Sequence, residues 1–304
     1  MASPPLYLAG QTGCGKTAVS LALAELLSPV EIINADAYQI YRGMEILTAA
    51  PTGAERRVVP HHLFGILPPE EACDAASFAR QTRTTIAEIG PRAIPLVVGG
   101  SGLYLKAVTH GLGPTPPGDP ALRAELDRLA LDALVAWYRR LDPEGAERTD
   151  LRNRRYVSRN IEISLLTGEP ASQRKDGWRR SNPEIRGVFL RRDRADLRRR
   201  ILHRTEAMFE AGVIDEVAAL AGLSATAEKA IGLREIRSLL AGEIDEDTCR
   251  ERIVVQTARY AKRQEAWFKR EPGFVPIAIA PGESPLEIAV RVRRHFEAPG
   301  DPIA

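Results

Sequence analysis

Near its start the chain carries the residues of a phosphate-binding loop, Gly10-Gln11-Thr12-Gly13-Cys14-Gly15-Lys16-Thr17. They match the pattern G-x-x-x-x-G-K-[ST] in full. Glycines let the backbone turn tightly enough for several N–H groups to face one anion, Lys16 adds a positive charge, and the Thr17 hydroxyl is a ligand for Mg²⁺. A strand is predicted directly before the loop at Leu6–Ala9 and a helix after it at Ala18–Leu27, which is the context that this motif requires. We expect a protein that binds a diphosphate or a triphosphate.

The composition is that of an ordinary globular protein, with 44% hydrophobic and 27% charged residues in a chain of 304. This length allows one large domain or two moderate ones. No apolar run approaches the roughly 20 residues of a membrane-spanning helix, and the first residues show no export signal. The three cysteines are widely spaced, which favours a reducing compartment and neither a disulfide framework nor a metal cluster. We expect a cytoplasmic protein with no membrane partner and, because no extended coiled-coil seam is visible, a monomer.

The net charge of +2 argues for no particular partner, but the arginines are unevenly distributed. They gather in three segments, 152–159, 191–204 and 259–270. Such clusters are typical of surfaces that bind nucleic acid, although a single cluster is more often a solvated helix face. Three of them beside a phosphate loop make a polyanionic partner a competitive hypothesis.

Strands and helices alternate in the first hundred residues. Apolar runs predict strands at Val30–Ile33 and Ile94–Val98, with a helix at Ser77–Ile89 between them. Strands separated by helices form parallel sheets, and such sheets bind ligands at the carboxyl ends of their strands. Asp36, after the second strand, and Ser101, after the third, should therefore lie on the same edge as the phosphate loop. Asp36 is a candidate site residue there, although an aspartate in this position can equally cap a helix or form a turn.

The composition changes at residues 111–120, which are rich in glycine and proline and predict a linker. Beyond it the pattern is helical until a return strand at Val188–Leu190. We predict a phosphate-loop α/β core with a parallel sheet, formed by residues 1–115 and 183–304, and a helical insertion formed by residues 116–182. The helices predicted after the linker are Ala121–Tyr138, Arg155–Leu166, Leu197–Ala211, Ile214–Leu220 and Asp245–Lys269, and a polar, basic loop is predicted from Pro170 to Pro183.

Beyond the phosphate loop the chain carries a series of short motifs, at Asn34–Met44, Pro60–Leu63, Val97–Tyr104, Arg155–Arg159 leading to Glu162, Gly232–Arg234, Thr257–Gln264 and Trp267-Phe268. In this order, from residue 6 to about residue 270, they resemble the tRNA dimethylallyltransferases, also called isopentenyl-diphosphate:tRNA transferases. Each motif alone is a weak signal, but the set is specific and covers nearly the whole chain.

The resemblance implies transfer of a dimethylallyl group from dimethylallyl diphosphate to the exocyclic N6 amine of an adenosine. In that family the target lies just 3′ of the anticodon, in tRNAs that read codons beginning with U. The phosphate loop would then bind the diphosphate that is released, with Mg²⁺ on Thr17, and Asp36 would accept the proton of the amine. The base must leave its stack to react, so we expect it to be flipped into the site.

The resemblance also implies roles for individual residues. Lys16, Thr17, Asp36 and Arg234 would be catalytic, and the loop from Gly10 to Thr17 would bind the diphosphate together with Arg194. The helical insertion would contact the anticodon stem-loop of tRNA. The residues implied to contact tRNA are Asp36, Ala37, Tyr38, Gln39, Ser101, Arg123, Arg155, Tyr156, Val157, Ser158, Arg159, Arg259, Lys262 and Arg263.

The chain departs from the family pattern at several positions. Ala37 stands where serine is usual, and Ser101 where threonine is usual. Leu47-Thr48-Ala49-Ala50 replaces Gly-Thr-Ala-Lys, which removes one cation, and Tyr156 replaces an arginine. These changes leave the implied reaction intact, but the resemblance then implies less about the detailed affinity for tRNA.

Two other functions share the same loop. A small-molecule or nucleoside kinase would use it to hold ATP, and a non-catalytic RNA-binding module would use it as a nucleotide switch. Because the donors of the loop recognise phosphates and not what is attached to them, the loop itself leaves ATP binding open. For His61 and His62, hydrogen bonding within the core or to a loop is favoured over acid–base catalysis or metal binding.

Overall fold

The structure is a computed structural model that describes residues 2–112, 115–179 and 184–297. The chain divides into two compact units, Met1–Thr109 with Glu184–Ala304 and His110–Pro183. Residues 113–114 of the predicted linker and residues 180–183 of the predicted basic loop lie outside the described residues.

One parallel sheet of six strands organises the first unit, in the order β3-β2-β4-β1-β5-β6. This architecture confirms the predicted fold class. β1 lies in the middle, with Leu6 opposite Leu96 on one side and Gly10 opposite Leu190 on the other. The strands are β1 Leu6–Gly10, β2 Val30–Asn34, β3 His61–His62, β4 Ile94–Gly99, β5 Gly187–Arg192 and β6 Phe274–Ile279.

The helices cover both faces of this sheet and form most of the second unit. None of those in the described ranges is long and apolar enough to cross a membrane. A short 3₁₀ turn lies at Ala227–Lys229. The helices are α1 Lys16–Leu27, α2 Glu45–Thr48, α3 Gly53–Val58, α4 Ala75–Ile89, α5 Gly102–His110, α6 Pro120–Asp127, α7 Leu131–Leu141, α8 Pro143–Arg148, α9 Arg154–Thr167, α10 Ala171–Arg179, α11 Arg194–Glu210, α12 Val213–Ala218, α13 Leu233–Leu240, α14 Glu246–Phe268 and α15 Pro285–Glu297.

The sheet is buried on both faces. Successive side chains of a strand point to opposite sides, so Tyr7 and Ala9 of β1 join one hydrophobic cluster while Leu6 and Leu8 join another. All five residues of β1 are buried. A parallel sheet sandwiched by helices requires such continuous apolar strands, and this is why β1, β2, β4 and β5 could be predicted from the sequence.

The second unit corrects two predictions. The single helix predicted at Ala121–Tyr138 is broken into α6 and α7, because Arg154 Nη2 donates to the carbonyls of Leu126, Asp127 and Leu129 at the break. The terminal carbonyls of a helix need partners outside it, and here one guanidinium supplies them.

The predicted basic loop before Pro183 is also wrong in its first half, where the structure has helix α10. The beginning of this helix is held by residues distant in sequence. The Asp142 carboxylate accepts from the Ser172 backbone N–H (2.8 Å) and hydroxyl (2.7 Å), and Ser164 Oγ accepts from the N–H of Ala171. These tertiary contacts satisfy N–H groups that a helix leaves free at its start.

Glu31 of β2 stabilises the edge of the sheet, where β2 pairs with the edge strand β3. Its carboxylate accepts hydrogen bonds from Arg92 Nε (2.7 Å) and Nη2 (2.9 Å) and lies 2.7 Å from Nε2 of His62 in β3. The hydrogen bond from Arg92, with a smaller one from His62, holds the pKa of Glu31 below its usual range, against the opposing effect of burial.

Glu31→Gln should lower the free energy of unfolding at neutral pH by about 1–2 kcal/mol, because charge-assisted hydrogen bonds are lost and Arg92 is partly in water. The pKa of Glu31 is lower in the folded than in the unfolded protein. Its contribution is therefore present above the unfolded value of about 4.3 and is lost as the pH falls through the folded value. Urea unfolding of both proteins should show a difference that shrinks below about pH 4. An equal difference at neutral and acidic pH would contradict this role.

Candidate active site

A cavity of about 460 Å³ opens at the carboxyl ends of the central strands. The phosphate loop forms one wall, and residues that follow β2, together with the end of β4, form another. Three residues of α11, Arg200, His203 and Arg204, complete it. The predicted site residues that line it are Thr12, Gly13, Gly15, Lys16, Thr17, Asp36 and Gln39.

The phosphate loop adopts a conformation that depends on glycine. Gly13 has φ of 80° and Gly15 has φ of 100°, in the left-handed region that other residues rarely adopt. Lys16 folds back over the loop, where its Nζ donates to the carbonyls of Gly10 (3.0 Å) and Gln11 (2.9 Å). An ammonium has three donors, so one is left for a ligand in the cavity.

Two arginines hold further carbonyls of the loop. Arg192 Nε donates to the carbonyl of Cys14 (2.8 Å), and its Nη1 pairs with the Asp196 carboxylate (2.7 Å). Arg200 Nε donates to the carbonyl of Gly13 (2.9 Å). Within the loop, the N–H groups of Gln11, Thr12 and Cys14 have partners, whereas those of Gly13, Gly15, Lys16 and Thr17 have none among the described residues and are available to an anion.

Arg204 is a site residue that the sequence analysis did not select. Its Nη1 donates to the hydroxyl of Thr12 (3.0 Å), and its Nε is buried without a partner among the described residues. Burial lowers the pKa of the Arg204 guanidinium, and the negative charge of Asp36 opposes this shift. Arginine remains charged even so, and a buried cation without a bonded carboxylate is suited to a phosphate. The i, i+4 spacing of Arg200 and Arg204 on a helix that follows a strand was the signal that could have found them.

Asp36 is placed by its neighbour Asn34 at the end of β2. The Asn34 side chain is fully buried, accepts from the N–H of Asp36 (2.7 Å) and donates to the carbonyls of Asp36 and Leu63. One oxygen of Asp36 accepts from the N–H of Tyr38 (3.0 Å), which leaves the other free of backbone contacts. The carboxylate lines the cavity together with Lys16 and Arg204.

Ser101 fixes the segment that carries Asp36 from the other side. Its hydroxyl accepts from the N–H of Ala37 (3.0 Å) and lies near the phenol of Tyr260. Burial, followed by the charge of Asp36, raises the pKa of Tyr260 above its ordinary value, so this phenol stays neutral. Tyr260 belongs to a quoted motif, but no role was predicted for it.

Gln39 was predicted to frame the flipped base. Its side-chain amide is hydrogen-bonded within the wall of the cavity. Nε2 donates to the carbonyls of Thr48 (3.1 Å) and Ala49 (3.0 Å) at the end of α2. The start of α2 is held by Glu216, whose carboxylate accepts from the N–H groups of Ile46 and Leu47. Thr48 and Ala49, which belong to the altered motif, therefore line the cavity in a fixed position.

The two arginines predicted beside the diphosphate are not among the residues that line this cavity. Arg194 is exposed at the start of α11, and Arg234 is exposed on α13. Their predicted roles stay predictions. Arg200 and Arg204 line the cavity beside the phosphate loop.

His61 and His62 take part in the hydrogen bonding of their surroundings, as the sequence analysis favoured. Nδ1 of His61 lies 2.7 Å from the carbonyl of Val59, and burial lowers the pKa of this imidazole. His61 lines the cavity beside Phe64, while His62 contacts Glu31.

A basic stripe runs along α14. Arg259, Lys262 and Arg263 are exposed, and their spacing of three and four residues places them on one side of the helix. Arg263 lies over the ring of Tyr260, 5.5 Å from its centroid. The ion pairs found in the described residues do not include these three cations, so they are available to phosphates.

In the second unit, two arginines predicted to contact tRNA share a buried carboxylate. The side chain of Glu162 is 1% exposed, and it binds Arg123 (Nε at 3.0 Å), Arg159 and the N–H of Asp119. Arg159 also donates to the carbonyl of Pro116. Burial raises the pKa of Glu162, but the hydrogen bonds from the two guanidinium groups and from the backbone outweigh it and lower the pKa. Both arginines therefore have a structural role in the second unit, as partners of the buried Glu162 carboxylate.

Their neighbours on α9 differ in exposure. Arg155 and Tyr156 are exposed, and Arg155 has no ion pair within the described ranges. Val157 is fully buried in the core of this unit, so its side chain offers no surface to an RNA, and its predicted contact with tRNA stays a prediction. The hydroxyl of Ser158 is buried as well.

The cavity fits Mg²⁺ bound together with a diphosphate. Among the described residues, no three His, Cys, Asp or Glu side chains are grouped as ligands for a metal ion. Mg²⁺ in such sites keeps several waters and binds phosphate oxygens with one or two protein oxygens. Thr17, in the cavity wall, is an oxygen donor of that kind.

Comparison with known proteins identifies the family. The model of the IPP transferase family matches residues 39–271. A tRNA dimethylallyltransferase of Akkermansia muciniphila is 45% identical over 292 residues, 96% of this chain and 99% of its own length. That of Bordetella pertussis is 42% identical over 296 residues, 92% of this chain and 94% of its own. The crystal structure of the full-length tRNA isopentenylpyrophosphate transferase of Bacillus halodurans is 30% identical, covers 97% of both chains and superposes with a TM-score of 0.69.

A phosphate loop on a parallel sheet, with these relatives, defines a transferase of the phosphate-loop class. The chain belongs to the IPP transferase family and is an enzyme, a tRNA prenyltransferase.

Arg204→Gln should weaken the binding of inorganic pyrophosphate about 10- to 100-fold, because one charge-assisted contact to the anion is lost. The melting temperature should change little, because the variant also removes a buried cation that has no bonded carboxylate. Titration calorimetry measures the affinity, and Arg198→Gln, at an exposed position of the same helix, is the matched control. Unchanged affinity in Arg204→Gln would remove this residue from the site. The same titration with Arg194→Gln and Arg234→Gln tests the roles predicted from sequence.

Arg155→Gln and Arg159→Gln should have different effects. Loss of the exposed Arg155 should reduce the slope of log affinity for the RNA against log salt by about 0.7–0.9, the value for one phosphate contact, at unchanged melting temperature. Loss of Arg159 should lower the melting temperature, because Glu162 stays buried with fewer partners. Filter binding at several salt concentrations and thermal melts measure both. A reduced salt slope in Arg159→Gln with no change in melting would contradict its structural role.

Proposed function

We propose that the enzyme transfers a dimethylallyl group from dimethylallyl diphosphate to the N6 amine of the adenosine 3′ of the anticodon, in tRNAs that read codons beginning with U. The observation that carries this proposal is the shared cavity, in which the diphosphate-binding loop and the Asp36 carboxylate face the same space. The named relatives, which are tRNA dimethylallyltransferases, support the donor and the acceptor.

The loop stabilises the leaving group. In the reaction, the N6 nitrogen forms a bond to the allylic carbon as the bond from that carbon to the diphosphate oxygen breaks, and the diphosphate leaves with the bonding electrons. Donors arranged for this developing negative charge lower the barrier. The inward N–H groups, Lys16 and Arg204 supply them, and Mg²⁺ held by Thr17 and diphosphate oxygens would add further positive charge.

Asp36 takes the proton that the amine loses. Asn34 and the N–H of Tyr38 fix the carboxylate, so its free oxygen can point at an amine in the cavity. A general base in this position typically contributes about 10²- to 10⁴-fold to the rate. The adenine is aromatic and must be unstacked to arrive there, and Ala37 and Tyr38, next to Asp36 in the chain, would contact it.

The RNA would be held by basic residues. In the first unit these are Arg259, Lys262 and Arg263 on α14, and in the second unit the exposed Arg155 with Tyr156 on α9. Arginine and lysine bind the phosphate backbone, while aromatic side chains stack on bases. The proposal includes a monomeric, cytoplasmic enzyme, as predicted from the sequence.

A test uses purified protein, Mg²⁺ and labelled dimethylallyl diphosphate with an anticodon stem-loop that has adenosine 3′ of the anticodon. Label should be transferred to this RNA and not to a control RNA with guanosine there. Asp36→Asn, which keeps the acceptor for the Tyr38 N–H, should lose about 10²- to 10⁴-fold in kcat with little change in RNA affinity. The RNA affinity is the internal control for folding.

Two results would contradict the proposal. Phosphorylation of a small acceptor by ATP without transfer of the label would support the kinase. Full transfer activity in Asp36→Asn would remove the carboxylate from the reaction.

A further inference from the structure

Gln264 of α14 is a buried amide that joins two walls of the cavity without lining it. The residue is 4% exposed. Its Oε1 accepts from the N–H of Thr12 (2.7 Å), and its Nε2 donates to the carbonyl of Gly100 (2.9 Å). The fit is close, since a Cβ at Gly100 would stand 2.2 Å from Nε2. Both halves of the amide are therefore used.

On one side, Gln264 fixes the phosphate loop. Thr12 stands in the middle of the loop and lines the cavity, and it is held twice, by Gln264 on its N–H and by Arg204 on its hydroxyl. The other hydrogen bonds to the loop described above are accepted by its backbone carbonyls. This one holds a backbone N–H in the middle of the loop.

On the other side, Gln264 fixes the segment that carries the proposed base. Gly100 precedes Ser101, whose hydroxyl accepts from the N–H of Ala37 and whose own N–H donates to the carbonyl of Ala35 (3.4 Å). Asp36 lies between Ala35 and Ala37 in the chain. The phosphate loop is thus connected to the segment around Asp36 by hydrogen bonds of the Gln264 amide and of Ser101.

We infer that Gln264 is a positioning residue that sets the distance between the bound diphosphate and the Asp36 carboxylate. This inference rests on the proposed function, in which the loop binds the leaving group and Asp36 takes the proton. Gln264 contacts neither substrate. A misplaced loop would weaken donor binding, and a misplaced Gly100–Ser101 segment would slow proton transfer, because small errors of geometry reduce rates strongly.

Gln264→Glu tests the two hydrogen bonds through pH. An ionised glutamate still accepts from the Thr12 N–H but repels the Gly100 carbonyl, whereas a protonated glutamate can donate to it as the amide does. Burial raises the pKa of such a carboxyl group. The phenol of Tyr260 lies near Gln264, but its own pKa is raised, so it does not ionise in the range used. Arg204, on the hydroxyl of Thr12, keeps its charge throughout.

The measured quantities are the dissociation constant of inorganic pyrophosphate and the single-turnover rate, each divided by the wild-type value at the same pH. At about pH 8, Gln264→Glu should bind pyrophosphate at least about tenfold more weakly than wild type, and its single-turnover rate should be at least about tenfold lower. Both ratios to wild type should return towards one by about pH 5.5. Gln264→Leu, which loses both hydrogen bonds, should show the deficit at every pH. Gln256→Glu places the same charge on the same helix away from these contacts and should show no pH-dependent ratio.

The outcomes are distinct. A Gln264→Glu protein that matches wild type at every pH, or whose deficit does not change with pH while its melting temperature falls, overturns the positioning role. If Gln264→Leu does not fold, the pH ratio of Gln264→Glu still decides. If wild type itself fails to bind pyrophosphate, the proposed function falls and this inference falls with it.

Discussion

The outward bonding of the phosphate-loop carbonyls is the constraint on which the rest of the structure depends. A short loop can present either carbonyls or N–H groups to a ligand, and only the second arrangement binds an anion. Here Lys16, Arg192 and Arg200 hold four carbonyls of the loop. The arrangement requires β5 beside β1, because Arg192 ends β5 and α11 follows directly from it. The pairing of β5 with β1, with Gly10 opposite Leu190, thus contributes to the core and also brings Arg192 and α11 to the phosphate loop.

Charge in the cavity is arranged around one carboxylate. Among the described residues that line it, Asp36 is the acid, and Lys16, Arg200 and Arg204 are the cations. A diphosphate brings several negative charges into this space, and the excess of cations matches it. The neutral groups around Asp36, which are Asn34, Ser101 and Tyr260, fix its position without adding charge. In the proposed function, leaving-group stabilisation and proton acceptance therefore fall to different residues of one cavity, since the cations lie on the phosphate loop and α11 and the carboxylate follows β2.

The sequence predicted what local pattern determines and missed what depends on tertiary contact. The loop, the buried strands and Asp36 at the edge of the sheet follow from motif spacing and continuous apolar runs. Helix α10 was missed because its start is held by Asp142, about thirty residues earlier in the chain, and no pattern of its own signals it. Strand β6 and helix α15 were also missed, since a half-exposed edge strand with a proline is a weak signal. Arg204 was seen only as part of a basic cluster, because its direction into the cavity depends on how α11 packs.

The central claim is that this loop binds the diphosphate of a prenyl donor as a leaving group, and the stoichiometry of the products tests it most directly. Pyrophosphate released and prenylated adenosine formed can be measured in the same reaction, with no nucleoside triphosphate present. The account predicts equal amounts of the two at every time point. Modified adenosine that forms only when ATP is added, or pyrophosphate released without modified adenosine, would contradict it.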